Sequence, residues 1–276
     1  MDSKTFLLNK LVEDSIEYFG YDNIEVTREL ARIWHDDSKN LNGRWKEVES
    51  FDDHKGKILD MACGVGTFLF YGLNQGYDVY GIEPEKWKLS YMDMKIKELN
   101  YPEYYSDRVI EGIGEKIPFE DNYFDFITTY QTLEHVQDVE QTLNELIRVL
   151  KVGGKLKIQA PDYNSFYEPH YGLPFLPRMN KKFAKIYLKI LNKPTKGLDT
   201  LNWTTSYTLK ESLSNFPNVK IVDLEELYFE RYKNKWSKSS RLPKFLSDFM
   251  AKVSFYKSVF LLQKEKQIRL VIRKEA

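Results

Sequence analysis

Apolar positions along the chain come in short dense runs divided by longer stretches of helical spacing. From Ser3 to Trp34, the positions Phe6, Leu7, Leu11, Ile16 and Phe19, then Val26, Leu30, Ile33 and Trp34, predict two helices broken at Gly20. Lys57-Ile58-Leu59-Asp60-Met61 is short and apolar, as a buried strand is, and it runs through Gly64 and Gly66 into an apolar helix beginning Thr67-Phe68-Leu69-Phe70-Tyr71. A second strand over 76–84 ends in Glu83, a helix follows over Glu85–Leu99, and further strands are predicted over Arg108–Gly112 and Phe124–Gln131. Asp138–Leu150 carries Val139, Leu143, Leu146, Ile147 and Leu150 on one face of a helix; Lys151–Lys155 ends it, and Leu156–Pro161 is the fifth strand. The closing elements are a helix over Thr208–Phe216 and strands over Val219–Leu224 and Gln267–Arg273.

The strand–glycine–helix junction at 57–71 aims backbone N–H groups and a helix N-terminus at whatever lies above the strand end, which suits a nucleotide-like ligand. Glu83 follows Gly64 by 19 residues, the length of one helix and one strand returning the chain beside the first. A carboxylate placed there accepts both hydroxyl hydrogens of a ribose. Leu59-Asp60-x-x-Cys63-Gly64-x-Gly66 resembles the first motif of class I S-adenosylmethionine (SAM)-dependent methyltransferases, and 57–161 is similar to their type 11 branch. The stretch Gly114-Glu115-Lys116-Ile117-Pro118-Phe119 and the later Leu133-Glu134-His135-Val136 carry that similarity onward.

The resemblance implies an α/β, Rossmann-like fold: a seven-stranded, mostly parallel sheet of order 3-2-1-4-5-7-6 with helices on both faces. It implies an N-terminal helical cap over 1–50 and a methyltransferase domain over 51–276, with a substrate-side insertion at 162–205 and a basic amphipathic insertion at 231–262. SAM is the implied cofactor, held by Asp60, Ala62, Gly64, Gly66, Glu83, Gly114, Glu115 and Gln131. Ile113 stands where the family usually has an Asp that bonds the adenine amine, leaving a backbone and apolar surface for the base. Two rival readings remain. An NAD-dependent oxidoreductase would use the glycine pair, but the third small residue of its fingerprint falls on Leu69. A non-catalytic SAM-fold binding module is suggested by Ile113.

Candidate bases are His135, at the outlet of the fourth strand, and His170, in the aromatic insertion with Glu168 as its orienting carboxylate. Each histidine has a structural alternative, His135 shaping its loop and His170 bonding a carbonyl. His35-Asp36-Asp37 reads as a helix end, and no ligand set has metal spacing, so no metal is expected. The expected acceptor is a small molecule or glycan, methylated at oxygen; a quinone-like or other small metabolite is the alternative.

Composition narrows the partners. Lys plus Arg and Asp plus Glu both number 41, which gives no basic field for nucleic acid. The single cysteine, Cys63, is expected to pack beneath the glycine loop. No apolar stretch is long enough for a membrane span, and a cytoplasmic protein is expected. Arg231–Phe260 is basic and amphipathic; it either lies on an anionic membrane surface, which would place the protein peripherally at the inner membrane, or packs its apolar face on the core.

Overall fold

The computed structural model describes residues 1–21, 23–40, 43–51, 56–239, 243–261 and 266–276. Its strands are β1 (Lys57–Met61), β2 (Asp78–Glu83), β3 (Val109–Glu111), β4 (Phe124–Tyr130), β5 (Leu150–Pro161), a small hairpin of β6 (Tyr167–Glu168) and β7 (Leu173–Pro174), then β8 (Val219–Asp223) and β9 (Gln267–Lys274). The helices are α1 (Ser3–Asp14), α2 (Ile24–His35), α3 (Arg44–Phe51), α4 (Thr67–Asn74), α5 (Lys86–Glu98), α6 (Val139–Val149), α7 (Lys181–Ile190), α8 (Lys196–Asp199), α9 (Ser206–Ser214), α10 (Leu224–Ser239) and α11 (Lys244–Leu261).

Seven strands pair in the order β3-β2-β1-β4-β5-β9-β8, the order expected from the sequence. β1 pairs in parallel with β2 and β4, and β9 runs antiparallel to both β5 and β8. Alternate residues of the central strands feed opposite layers. Ile58, Val79 and Phe126 pack with α1, α3, α4 and α5, whereas Leu59, Ile82 and Ile127 pack with α6 and α9. Burial on both faces explains why these strands read as apolar runs rather than alternating ones. On α6, Leu143, Leu146 and Ile147 are buried against the sheet, each contributing roughly 1.5–3 kcal/mol at most.

Three local features depart from the sequence reading. β5 begins at Leu150 instead of Leu156: Gly153, at φ +84°, lets the chain turn while Leu150 pairs with Phe124 across an irregular register. The helix α3 precedes β1 where none was expected, because its 8 residues are too few for apolar periodicity to show. The N-terminal pair of helices is joined by a π-helical turn, Ser15–Phe19. α1 and α3 pack on the sheet flank through Leu7, Leu11, Trp45 and Val48, while that turn reaches over the strand ends.

The turn is stitched to the insertion. Lys193 Nζ donates to the Gly20 carbonyl (2.7 Å), Lys196 pairs with Glu17, and the Tyr171 hydroxyl donates to the Tyr18 carbonyl (3.3 Å). Phe19 joins a small cluster with Tyr171, Phe175, Ala184, Leu188 and Leu198. α10 and α11 occupy the expected basic amphipathic segment; Arg241 and Leu242 of that expectation lie outside the described residues. Among the described residues, no helix is long and apolar enough to cross a membrane.

Candidate functional site

The loop after β1 is built from left-handed backbone. Gly64 and Gly66 have φ of +60° and +77°, and a Cβ on Gly66 would sit 2.7 Å from Met92 Sδ. Any side chain there is excluded by both conformation and space. Ala62 is also left-handed (φ +58°), as is Gln131 (φ +54°) just past β4. Two strained residues thus stand at the outlets of two neighbouring parallel strands, where such strain tends to mark function.

Glu83, 1% exposed, closes this loop from β2. Its Oε2 accepts from Gly64 N–H (2.8 Å), its Oε1 accepts from Glu85 N–H (3.1 Å), and Lys88 Nζ stands 3.5 Å from Oε1. A carboxylate has about four lone-pair positions, so room for a diol remains. Burial pushes the Glu83 carboxyl above the ordinary range, with Lys88 and the two N–H donors pulling against it. Burial also works against the Lys88 ammonium, but the Glu83 and Glu85 carboxylates outweigh it and raise its basicity. Lys88 could not be singled out in the sequence, since only the folded turn brings it to Glu83.

The other expected cofactor residues divide. Asp60 lies inside the sheet, its Oδ1 paired with Arg44 Nη2 at 2.7 Å. Burial raises its pKa and Arg44 opposes the rise. Gly114 is packed under Thr142 and Met61. The Glu115 carboxylate accepts from the N–H groups of Gln137 and Asp138 (2.6 and 3.1 Å), tying down the approach to α6. Ile113 is 46% exposed and helps line a cavity of about 610 Å³ with Pro84, Gly112 and Ile117, at the outlet of β2 and β3. Cys63 is buried under the loop, and burial pushes its thiol well up, out of reach of nucleophilic chemistry.

The structure brings His135 and His170 together although 35 residues separate them in sequence. Their rings meet edge to face with centroids 5.1 Å apart. His170 Nδ1 lies 2.7 Å from Glu168 Oε1, and Glu168 Oε2 accepts from Tyr171 N–H (2.7 Å). With the carboxylate as acceptor, Nδ1 carries the hydrogen. Phe19 of the π-helical turn stacks on the same ring at 5.5 Å. Burial of the ring body, reinforced by His170, lowers the basicity of His135. The His135 residue is nonetheless open to solvent on one side. Phe19 and Arg44 were missed in sequence because their partners are remote along the chain.

Residues 59–158 match a family model described as a methyltransferase domain. Demethylmenaquinone methyltransferase of Bacillus mycoides (strain KBAB4) is 30% identical over 172 residues, covering 59% of this chain and 65% of that protein. The same-named protein of Bacillus pumilus (strain SAFR-032) is 29% identical over 213 residues, covering 74% and 80%. The chain therefore spans just under two thirds of the B. mycoides protein. Among solved structures, phosphoethanolamine N-methyltransferase 2 of Haemonchus contortus, with phosphomonomethylethanolamine and S-adenosylhomocysteine, is similar at TM-score 0.50 and 15% identity. That match covers 85% of this chain and 52% of the other, and it is a likeness of fold.

Proposed function

We propose that this chain, whose residues 59–158 match a family model described as a methyltransferase domain, is a SAM-dependent methyltransferase that methylates a small, lipid-soluble, quinone-like acceptor. Two features at the outlets of the parallel strands and in the segment after β5 support the reading. Glu83 beneath the glycine loop suits the ribose of SAM, and the Glu168–His170–His135 group stands on the acceptor side. SAM supplies a methyl already bound to a good leaving group. The acceptor's nucleophilic atom attacks the methyl carbon in line with the C–S bond, whose electrons remain on sulfur as S-adenosylhomocysteine forms. The acceptor's hydroxyl proton passes to solvent, and the histidine pair stabilises its oxygen as it does so. The chain's main task is to align the partners about 3 Å apart and exclude water, for which Phe19 and the stitched insertion form a roof.

The relatives' name favours the quinone-like acceptor over the glycan that the sequence also admitted. A lipid-soluble acceptor fits two further features. α7 exposes Phe183 (69%), Ile186 (55%) and Ile190 (74%) on one stripe, flanked by Lys182, Lys185 and Lys189. α11 exposes Phe245, Phe249 and Val253 at four-residue intervals. Both stripes suit peripheral contact with an anionic membrane. Leu69, fully buried where a dinucleotide fingerprint needs its third small residue, weighs against NAD.

The test is methyl transfer from labelled SAM to a reduced, demethylated quinone held in lipid vesicles. Transfer is expected, and His170→Ala should lower turnover by 10²-fold or more with little change in SAM affinity, the usual size of a lost acid–base group. Cofactor binding with no transfer to any quinol would favour the non-catalytic binding module.

A further inference from the structure

We propose that Glu134, His135 and His170 form a divalent-cation site on the acceptor side of the cleft. One carboxylate oxygen and one nitrogen from each ring all lie within 4.8 Å of one another. Ligands bonded to a tetrahedral zinc at about 2.0–2.1 Å stand roughly 3.3 Å apart, so side-chain rotations on the order of 1 Å close the set.

Four features separate this group from an ordinary polar cluster. Glu168 holds His170 Nδ1 at 2.7 Å, the carboxylate–histidine arrangement that fixes a metal-binding imidazole in one tautomer. The Glu134 residue is fully buried, which holds its carboxylate beside the two rings and away from bulk water. The loop carrying Glu134 and His135 is held from the insertion: Asn202 N–H donates to the Glu134 carbonyl (2.6 Å) and Asn202 Nδ2 to the Val136 carbonyl (2.5 Å). Finally, two imidazoles and one carboxylate supply three ligands and leave positions open, which is the donor set of a working site and not of a closed structural one. The imidazole donors favour zinc or iron(II) over calcium and magnesium, and the carboxylate also admits manganese. The sequence reading expected no metal, because the ligands are drawn from two segments that only the fold brings together.

A cation held by Glu134, His135 and His170 would supply Lewis acidity, lowering the pKa of an acceptor hydroxyl bound beside it so that its proton passes to water. That role rests on the methyl-transfer reading; cation binding does not. The experiment strips the full chain with a chelator and titrates Zn²⁺ and Mn²⁺ separately by calorimetry, with S-adenosylhomocysteine titrated into every variant as a check on folding. One equivalent is expected to bind, Glu134→Gln and His170→Ala to weaken it by at least about 100-fold, and Glu168→Gln by about 10–100-fold, with cofactor affinity kept within a factor of two. Failure of the wild-type chain to bind either ion stoichiometrically overturns the site, as does undiminished binding by a folded Glu134→Gln or His170→Ala variant. Zinc binding without transfer to any quinol would instead count against the acceptor and leave the site standing.

Discussion

Glu83 is the side chain on which the cofactor reading turns, because two backbone donors and Lys88 already hold its carboxylate in place before any ligand arrives. Glu83→Ala should weaken SAM binding by roughly 1–3 kcal/mol, the range for leaving hydrogen-bonding groups unpaired; an unchanged dissociation constant would remove it from the ribose. Its carboxyl is raised by burial, so it takes up a proton at higher pH than an ordinary glutamate. A protonated carboxyl accepts less well, so affinity should decline as pH is lowered from 7 in the wild type and change less in Glu83→Gln. Glu83 was legible in the sequence because its position follows from the length of one helix and one strand. Lys88 and Phe19 were not, because nothing local marks a lysine or an aromatic whose partner is supplied by a different element.

The same division separates the elements. β1, β2, β4 and β9 were legible because central strands buried on both faces leave uninterrupted apolar runs, and α6 because one face of it meets the sheet. α3 was not: its 8 residues hold only Trp45, Val48 and Phe51 as apolar positions. It matters nonetheless, since Arg44 brings a guanidinium to Asp60 and lies 4.1 Å from the centre of the Phe68 ring. Arg44→Ala strands a buried carboxylate and should cost about 3–5 kcal/mol in denaturant unfolding, whereas Arg44→Ala with Asp60→Asn should recover part of that. A loss below about 1 kcal/mol would mean that Asp60 is not held by this pair. On α7, Phe183→Glu with Ile190→Glu replaces an apolar stripe by charge. Sedimentation with phosphatidylglycerol vesicles should fall at least tenfold; equal sedimentation would assign the stripe to some other contact.

For the molecule as a whole, the strand order β3-β2-β1-β4-β5-β9-β8 was legible only through the family resemblance that the glycine motif carries, and not from the apolar pattern itself. The acceptor side was not, since it is assembled from the π-helical turn, the β4 outlet and the insertion, three segments remote in sequence. A fold of this kind does not by itself fix a reaction, so the account depends on what the cleft binds. Calorimetric titration of the full chain with SAM, S-adenosylhomocysteine and NAD, run in parallel, tests this most directly. The account predicts binding of both adenosyl ligands, with no heat from NAD. Binding of NAD alone would contradict the assignment of the Gly64–Gly66 loop and of Glu83, and with them the methyl-transfer reading.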